Sequence, residues 1–459
     1  MFTRSTVRLA LATATAASLT GGLLTLSVST ANAVTAPAKY ADDFNGDGYR
    51  DFAATSIGGG EFVVTYGTAK GPGTTTKTFS QSTSGVPGAA GDSDGYGDAF
   101  GEDLAPADFN RDGYADLAVA DFTEKVDGKV SSGAVTILWG SSSGLTGTGA
   151  IRLKITASSH RGFGKQIEAG DFNGDGKTDL AVADGIEAVR VYRGGFSKSG
   201  TTGTVTKHVP NQLLEPAGLV AGKVTKDGAT DLFLLGQGVH DGKQTQDAWF
   251  IRGGSTIQPG KITVYNSSSP DYAPTGVVAD FNKDGYGDLA VGDRMYNGKA
   301  GSVVVWRGGS TGPGTKYRIS QSTSGVATAA SPREYFGTAL SAGDTNGDGY
   351  PDLAVGVPYE TVSALDDAGG LHVLRGGSSG LTGANSQWFS RTTAGVPGDP
   401  RQWENFGQMV RIRDIDRDGD KDVLVSADYY SPSVLLPGTG TGITATGAQE
   451  LGIVAAFPQ

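Results

Sequence analysis

Asp171-Phe172-Asn173-Gly174-Asp175-Gly176-Lys177-Thr178-Asp179 carries side-chain oxygens at positions 1, 3, 5 and 9 and a glycine at position 6. The same nine-residue design returns at 43–51, 108–116, 280–288 and 344–352. It appears again at 414–422, with Asp416 in place of Asn, and in worn form at 223–231. Successive copies are 52 to 70 residues apart. A period of this size marks a solenoid, propeller or array, in which no repeat can bury its apolar face alone.

Working outward, each loop is followed by a short apolar run, such as Asp116-Leu117-Ala118-Val119-Ala120 or Asp352-Leu353-Ala354-Val355-Gly356. Runs this short, bounded by Asp and Gly, read as buried strands. A third strand follows at 135–139, 189–192, 303–306 and 371–374, and a more polar fourth at 76–80, 151–155, 317–320 and 387–390. No helical periodicity of useful length follows residue 33. Four strands per repeat and seven repeats predict an all-β, seven-bladed β-propeller of four-stranded antiparallel blades. The loops then lie in the first hairpin of six blades. The repeats fill 40–459, leave no separate catalytic module, and predict that the two ends of the chain meet in one blade.

The loop chemistry suits a hard cation, which needs oxygen ligands at short spacing and a sharp turn to converge them. The candidate ligand sets are Asp43, Asn45, Asp47, Tyr49 and Asp51; Asp108, Asn110, Asp112, Tyr114 and Asp116; and Asp171, Asn173, Asp175, Lys177 and Asp179. The others are Asp280, Asn282, Asp284, Tyr286 and Asp288; Asp344, Asn346, Asp348, Tyr350 and Asp352; and Asp414, Asp416, Asp418, Asp420 and Asp422. Position 7 would give its backbone carbonyl, which explains why Tyr, Lys and Asp all stand there. An EF-hand needs a bidentate Glu at position 12 and flanking helices. Position 12 here is Ala54, Val119, Val182, Val291, Val355 or Val425, inside a strand. About six Ca²⁺ are therefore expected, with Mg²⁺ suited less well. The worn loop has Lys223 and Thr225 at positions 1 and 3 and is expected to hold no ion, the Lys223 ammonium standing among Asp227 and Asp231 instead. The acidic stretch Asp92-Ser93-Asp94-Gly95-Tyr96 has its glycine at position 4 and reads as a surface loop.

Residues 1–33 read as a secretory leader, with Arg4 and Arg8 ahead of a mildly apolar stretch and Ala31-Asn32-Ala33 as the cleavage site. Thr, Ser and Gly interrupt that stretch, which argues against a membrane anchor. Residues 34–459 then form a single exported domain, cleaved near Val34, with no membrane span. The chain has no Cys, so calcium is the natural additional staple for its core. The net charge of −11 becomes −13 without the leader. Nineteen of the 48 acidic residues are side-chain ligands of the six intact loops, and six Ca²⁺ would bring the charge to −1. No basic stripe is present, so nucleic acid is excluded as a partner.

The pattern Phe163-Gly164, a short strand, then Gly170-Asp171-x-Asn173-x-Asp175-Gly176-x-x-Asp179-Leu-Ala-Val resembles the FG-GAP repeat of the integrin α-subunit N-terminal propeller. Phe100-Gly101, Phe336-Gly337 and Phe406-Gly407 repeat its first half, and Gly356-Val357-Pro358 keeps its second. The fourth repeat lacks a clear Phe-Gly. The resemblance implies a seven-bladed propeller with calcium loops on one face. Similar propellers occur in adhesion receptors, in secreted lectin-like proteins and beside exported hydrolases.

The sequence holds no Gly-x-Ser-x-Gly elbow and no His-Glu-x-x-His motif. His372 falls in a strand and reads as packing. The binding reading rests on variable loops at 121–132, 293–299, 358–369 and 427–432 and links at 86–98, 326–335 and 396–405. These carry Tyr96, Phe122, Tyr335, Tyr359, Trp403, Tyr429 and Tyr430, aromatics suited to a glycan or protein ligand in the extracellular space. The alternative is a calcium-dependent polysaccharide lyase or hydrolase. The chain is read as a monomer. A segment at 79–87 recurs at 319–326 and 389–397, which a duplicated strand and turn explains more simply than multivalent binding.

Overall fold

The computed structural model describes residues 36–56, 59–91, 99–186, 188–267, 274–427 and 431–452. The leader, the stretch 92–98 with Tyr96, and Tyr429 and Tyr430 lie outside them. Seven antiparallel sheets follow one another along the chain, six of four strands and one of three. Blade 1 contains Phe52–Thr55, Glu61–Thr68 and Gly71–Ser80. Blade 2 runs Leu104–Ala107, Asp116–Asp121, Ala134–Trp139, Thr146–Arg152. Blade 3 runs Phe163–Gly170, Asp179–Asp184, Ala188–Tyr192, Val205–His208. Blade 4 runs Leu214–Gly222, Asp231–His240, Lys243–Arg252, Gln258–Asn266. Blade 5 runs Gly276–Ala279, Asp288–Gly292, Val303–Trp306, Lys316–Ile319. Blade 6 runs Leu340–Gly343, Asp352–Val357, Gly370–Arg375, Thr382–Phe389. Blade 7 runs Met409–Arg413, Asp422–Ser426, Ser433–Leu436, Gln449–Leu451.

The Asp-Leu-Ala-Val-Ala run has a packing logic. Side chains alternate across a strand, so Leu117 and Val119 face blade 1 while Ala118 and Ala120 face blade 3. The small face of one blade receives the large face of the next: Leu180 and Val182 of blade 3 fill the space left by Ala118 and Ala120. Leu353 and Val355 do the same against Ala290 of blade 5. Seven apolar clusters result, one at each junction around a closed ring.

The first strands stand innermost. They line an axial cavity of about 790 Å³, with Asp103, Glu168, Arg411 and Arg413 on its wall. Burial pushes the Asp103 carboxyl up to about 7 and Glu168 to about 8.

The expectation that both ends share one blade concerns a strand from the chain's last residues, and 453–459 lie outside the described residues. Blade 7 draws all four strands from its own sequence. Among the described residues the innermost place of blade 1 is held by Asp42, whose carbonyl accepts the Asp51 N–H at 2.7 Å. Among the described residues no strand crosses from one blade to the other. This seam is closed by the smallest apolar cluster, Phe52 against Ile415, Leu424 and Leu435. Arg411 approaches Asp42 at 3.9 Å, and the Arg417 guanidinium stacks 4.7 Å from the Tyr49 ring centre. Phe52→Ala is expected to cost about 3 kcal/mol by denaturant unfolding. A cost no greater than that of a surface substitution would remove the seam from the stability of the ring.

The recurring segment proves structural. Thr83, Thr323 and Thr393 each cap the same turn through the N–H of Ser80, Ser320 and Ser390, at 3.0 Å in all three. The residue between is buried and reaches a carboxylate of the next blade or the link leading to it: Gln81 to Glu124 at 2.8 Å, Gln321 to Glu360 at 2.6 Å and Arg391 to Glu404 at 2.9 Å. Outer strands begin earlier than their sequence suggests, at Thr146 and Thr382, because an edge strand buries little and so shows little apolar alternation.

Candidate metal centres and ligand face

Each intact loop joins the first and second strands of its blade, or in blade 1 leads into the second-strand position. Antiparallel topology therefore puts all six on one face. Position 2 anchors them inward: Phe44, Phe109, Phe172 and Phe281 are fully buried, a role the sequence reading missed. The position-6 glycines adopt φ of +79° to +102°, a left-handed turn that side chains resist.

That turn brings the oxygens together. The position-1 carboxylate accepts the position-6 N–H, at 2.8 Å for Asp43 and Asp171 and 2.7 Å for Asp344. The position-3 oxygen accepts the position-5 N–H, as Asn110 does from Asp112 at 2.8 Å and Asp416 from Asp418 at 3.1 Å. The position-5 carboxylate accepts the position-7 N–H, as in Asp47 to Tyr49 at 2.8 Å, Asp284 to Tyr286 at 2.9 Å and Asp418 to Asp420 at 2.9 Å. Position 9 has a second duty. Asp116 accepts from Phe109 at 3.0 Å and from Gly140, just beyond the third strand, at 2.9 Å. Asp51, Asp352 and Asp422 repeat this clasp, and Asp179 does so with the N–H of Asn173, at position 3, beside that of Gly194.

The donor set fits a divalent cation. Asp43 Oδ1, Asp288 Oδ2 and Asp414 Oδ1 are buried with no hydrogen-bond partner. Oxygens of Asp414, Asp416 and Asp422 lie within 4.8 Å of one another. Burial, with neighbouring loop carboxylates adding to it, pushes Asp116 up to about 8, Asp51 to about 7 and Asp288 and Asp422 to about 6. Carboxylates held in this strained state gain most from a cation. Blade 6 differs from the others, since the Arg375 guanidinium also reaches Asp352, at 2.8 Å.

Neighbouring loops touch. Lys226 of the worn loop stacks 4.0 Å from Tyr286, and Lys283 lies 5.5 Å from Tyr350. Gly46 leaves room for Tyr114, whose ring would stand 2.7 Å from a Cβ at that position. The position-7 tyrosines thus also bridge blades.

In the worn loop the placing of Lys223 is corrected. Lys223 is exposed. The cation on Asp227 is Arg252, from the end of the third strand, at 3.0 and 3.1 Å. Asp231 keeps only the clasp, accepting from Thr225 N–H at 2.8 Å and Gly253 N–H at 2.9 Å.

The FG-GAP repeat model matches residues 272–306 and 336–374, and the FG-GAP-like repeat model matches 108–182 and 171–234. These matches fall in blades 2 to 6. The chain carries FG-GAP repeats in an integrin-like propeller. This FG-GAP propeller is 32% identical over 202 residues to phosphatidylinositol-glycan-specific phospholipase D of Rattus norvegicus, covering 42% of the chain and 21% of that protein. It is 33% identical over 219 residues to integrin alpha-PS2 of Drosophila melanogaster, covering 42% of the chain and 15% of that protein. The chain thus matches about a fifth or less of the length of these curated relatives. A solved Agrocybe aegerita lectin, described as recognising non-reducing terminal N-acetylglucosamine, aligns over 91% of the chain and 94% of its own at TM-score 0.48 and 12% identity. That likeness is too loose to bear on function.

On the opposite face of the FG-GAP propeller, the connections between second and third strands meet the links between blades. Tyr335 and Tyr359 come together there, ring centres 5.1 Å apart. Trp403 is 65% exposed, and its N–H bonds to the Asp366 carbonyl at 2.9 Å, so it flanks the same 358–369 loop. Phe122 is half-buried in the corresponding loop of blade 2. His372 is fully buried between Phe336 and Trp388, the packing role expected of it. No helix among the described residues is long and apolar enough to cross a membrane.

Proposed function

We propose that this FG-GAP propeller is a secreted, calcium-binding module that engages an extracellular glycan or protein through the face opposite its loops. Ca²⁺ at the six intact loops supports the scaffold, with positions 1, 3, 5 and 9 giving side-chain oxygens and position 7 its carbonyl. The worn loop, with Arg252 on Asp227, works without an ion. The leader at 1–33 directs export, and 34–459 acts as one domain. The observation that carries the binding reading is Trp403, exposed beside the loop that also bears Tyr359. A large rigid aromatic held out to solvent suits stacking on a sugar or anchoring in a protein pocket.

Glycan arrays and a panel of extracellular matrix proteins, probed with and without calcium, test this. Trp403→Ala with Tyr359→Ala is expected to weaken binding by about 2 kcal/mol, roughly thirtyfold, without moving the melting temperature. Unchanged binding would take the function off this face. The likeness to a phospholipase D brings an enzymatic reading alongside, with the same face holding the reacting groups. Turnover of a polysaccharide, lost with Trp403→Ala, would decide for it.

A further inference from the structure

The axial cavity, at about 790 Å³, is of the size that takes a small ligand. Its wall is divided by chemistry. Blades 4 to 6 contribute apolar inner strands, with Leu219 and Val277 on the wall. Blades 7 and 1 contribute Arg411 and Arg50, and blades 2 and 3 contribute Asp103 and Glu168.

The charges are segregated rather than paired. Asp42 stands among the guanidiniums, but Arg50 already holds it at 2.6 Å. The Arg411 side chain is only 9% exposed, lies 3.9 Å from Asp42 and donates no hydrogen bond. A buried guanidinium without an acceptor is costly, and this one lines an open space. Across that space Asp103 accepts the N–H groups of Ile167 at 2.8 Å and Leu104 at 3.0 Å. Among the described residues no Lys or Arg nitrogen lies within 4.0 Å of Asp103 or Glu168. Glu168 and Arg411 are near enough to feel one another's charge, yet they do not touch. Burial, with the Asp103 charge adding to it, pushes the Glu168 carboxyl up to about 8, and a cation placed beside it would favour the ionised form.

We propose that the axial cavity binds a free α-amino acid with an apolar side chain. Its carboxylate takes the fork of Arg411, which suits a planar, two-oxygen acceptor. Its ammonium sits at Glu168 with Asp103 behind, and its side chain packs on Leu219 and Val277. A simple anion would leave the Glu168 side unmet, and a simple cation would leave Arg411 unmet. A zwitterion carries both charges on one small molecule and answers both sides at once. A neutral sugar answers neither, so this site is separate from the aromatic face around Trp403.

Isothermal titration calorimetry of the full chain with L-leucine tests the proposal, and one site per chain is expected. N-acetyl-L-leucine lacks the ammonium and L-leucinamide lacks the carboxylate, so each should bind at least about tenfold more weakly. Arg411→Gln should weaken leucine by about the factor that amidation does, and should leave leucinamide unaffected. Trp403→Ala should leave leucine binding unchanged. No binding by the native chain at roughly 10 mM leucine, or equal affinity for the acetylated form, overturns the proposal. Loss of leucine binding in Trp403→Ala would overturn it too, by moving the site to the aromatic face. The analogue series needs only the native chain, so it decides the matter even where Arg411→Gln does not fold.

Discussion

Chelation with EDTA is expected to lower the melting temperature of the full chain by on the order of 15 °C. An ion bound only by the folded state stabilises it by about 2.7 kcal/mol at a hundredfold excess over Kd, so six loop sites contribute roughly 15 kcal/mol. In a chain of this size about 1 kcal/mol corresponds to roughly 1 °C. The mechanism is electrostatic. Unpartnered oxygens of Asp43, Asp288 and Asp414 and the crowded carboxylates of blades 1, 2 and 7 repel one another without the ion. Differential scanning calorimetry with and without Ca²⁺ at about a hundredfold excess over Kd measures the effect. A shift of only about 2 °C would show that the loops stand on their hydrogen bonds alone. Restoring Mg²⁺ in place of Ca²⁺ is expected to recover little of the loss, because Mg²⁺ demands stricter geometry and gives up its water reluctantly.

The second large effect is expected where no calcium is expected. Asp231→Ala should destabilise the protein by about 5 kcal/mol, with the calcium count unchanged. Asp231 is completely buried and accepts from Thr225 N–H at 2.8 Å, Thr225 Oγ1 at 3.0 Å and Gly253 N–H at 2.9 Å. Truncation strands three donors together, and each hydrogen bond to a charged group is worth about 1.5–3 kcal/mol. Asp227→Ala in the same loop should cost under about 1 kcal/mol, since its pairing with Arg252 is solvent-exposed. Urea unfolding of the two variants side by side gives the comparison. Equal costs would mean that position 9 has no duty apart from the metal.

That contrast shows what could be read from the sequence. The loops and the Leu-x-Val strands after them repeat locally, so blade number, strand order and the loop face were legible. The carboxylate at position 9 looked like a metal ligand and nothing more. Its partner Gly253 lies 22 residues away, beyond any local pattern. Arg252 displaced Lys223 as the cation on Asp227 for the same reason. Gln81, Gln321 and Arg391 were visible as a recurring position, but the carboxylates they hold come from the blade or link that follows. Shared blade closure was inferred from propeller logic, and among the described residues Asp42 alone stands where an inner strand of blade 1 would be. The tyrosines of the opposite face were picked out as aromatics in variable loops, and only the structure could show that Tyr335 and Tyr359 meet.

The seam between blades 7 and 1 gives the ring a mechanical character. Every other junction has a covalent link as well as its apolar contact, while among the described residues this one has side chains only. Among the described residues no ladder of hydrogen bonds has to shear there under tension. Phe52 slides off Leu424 and Leu435, Arg417 lifts from Tyr49, and the ring springs apart as a split washer does. The force needed to open it is set by a few short-range contacts, so it should yield abruptly at small extension and snap shut when released.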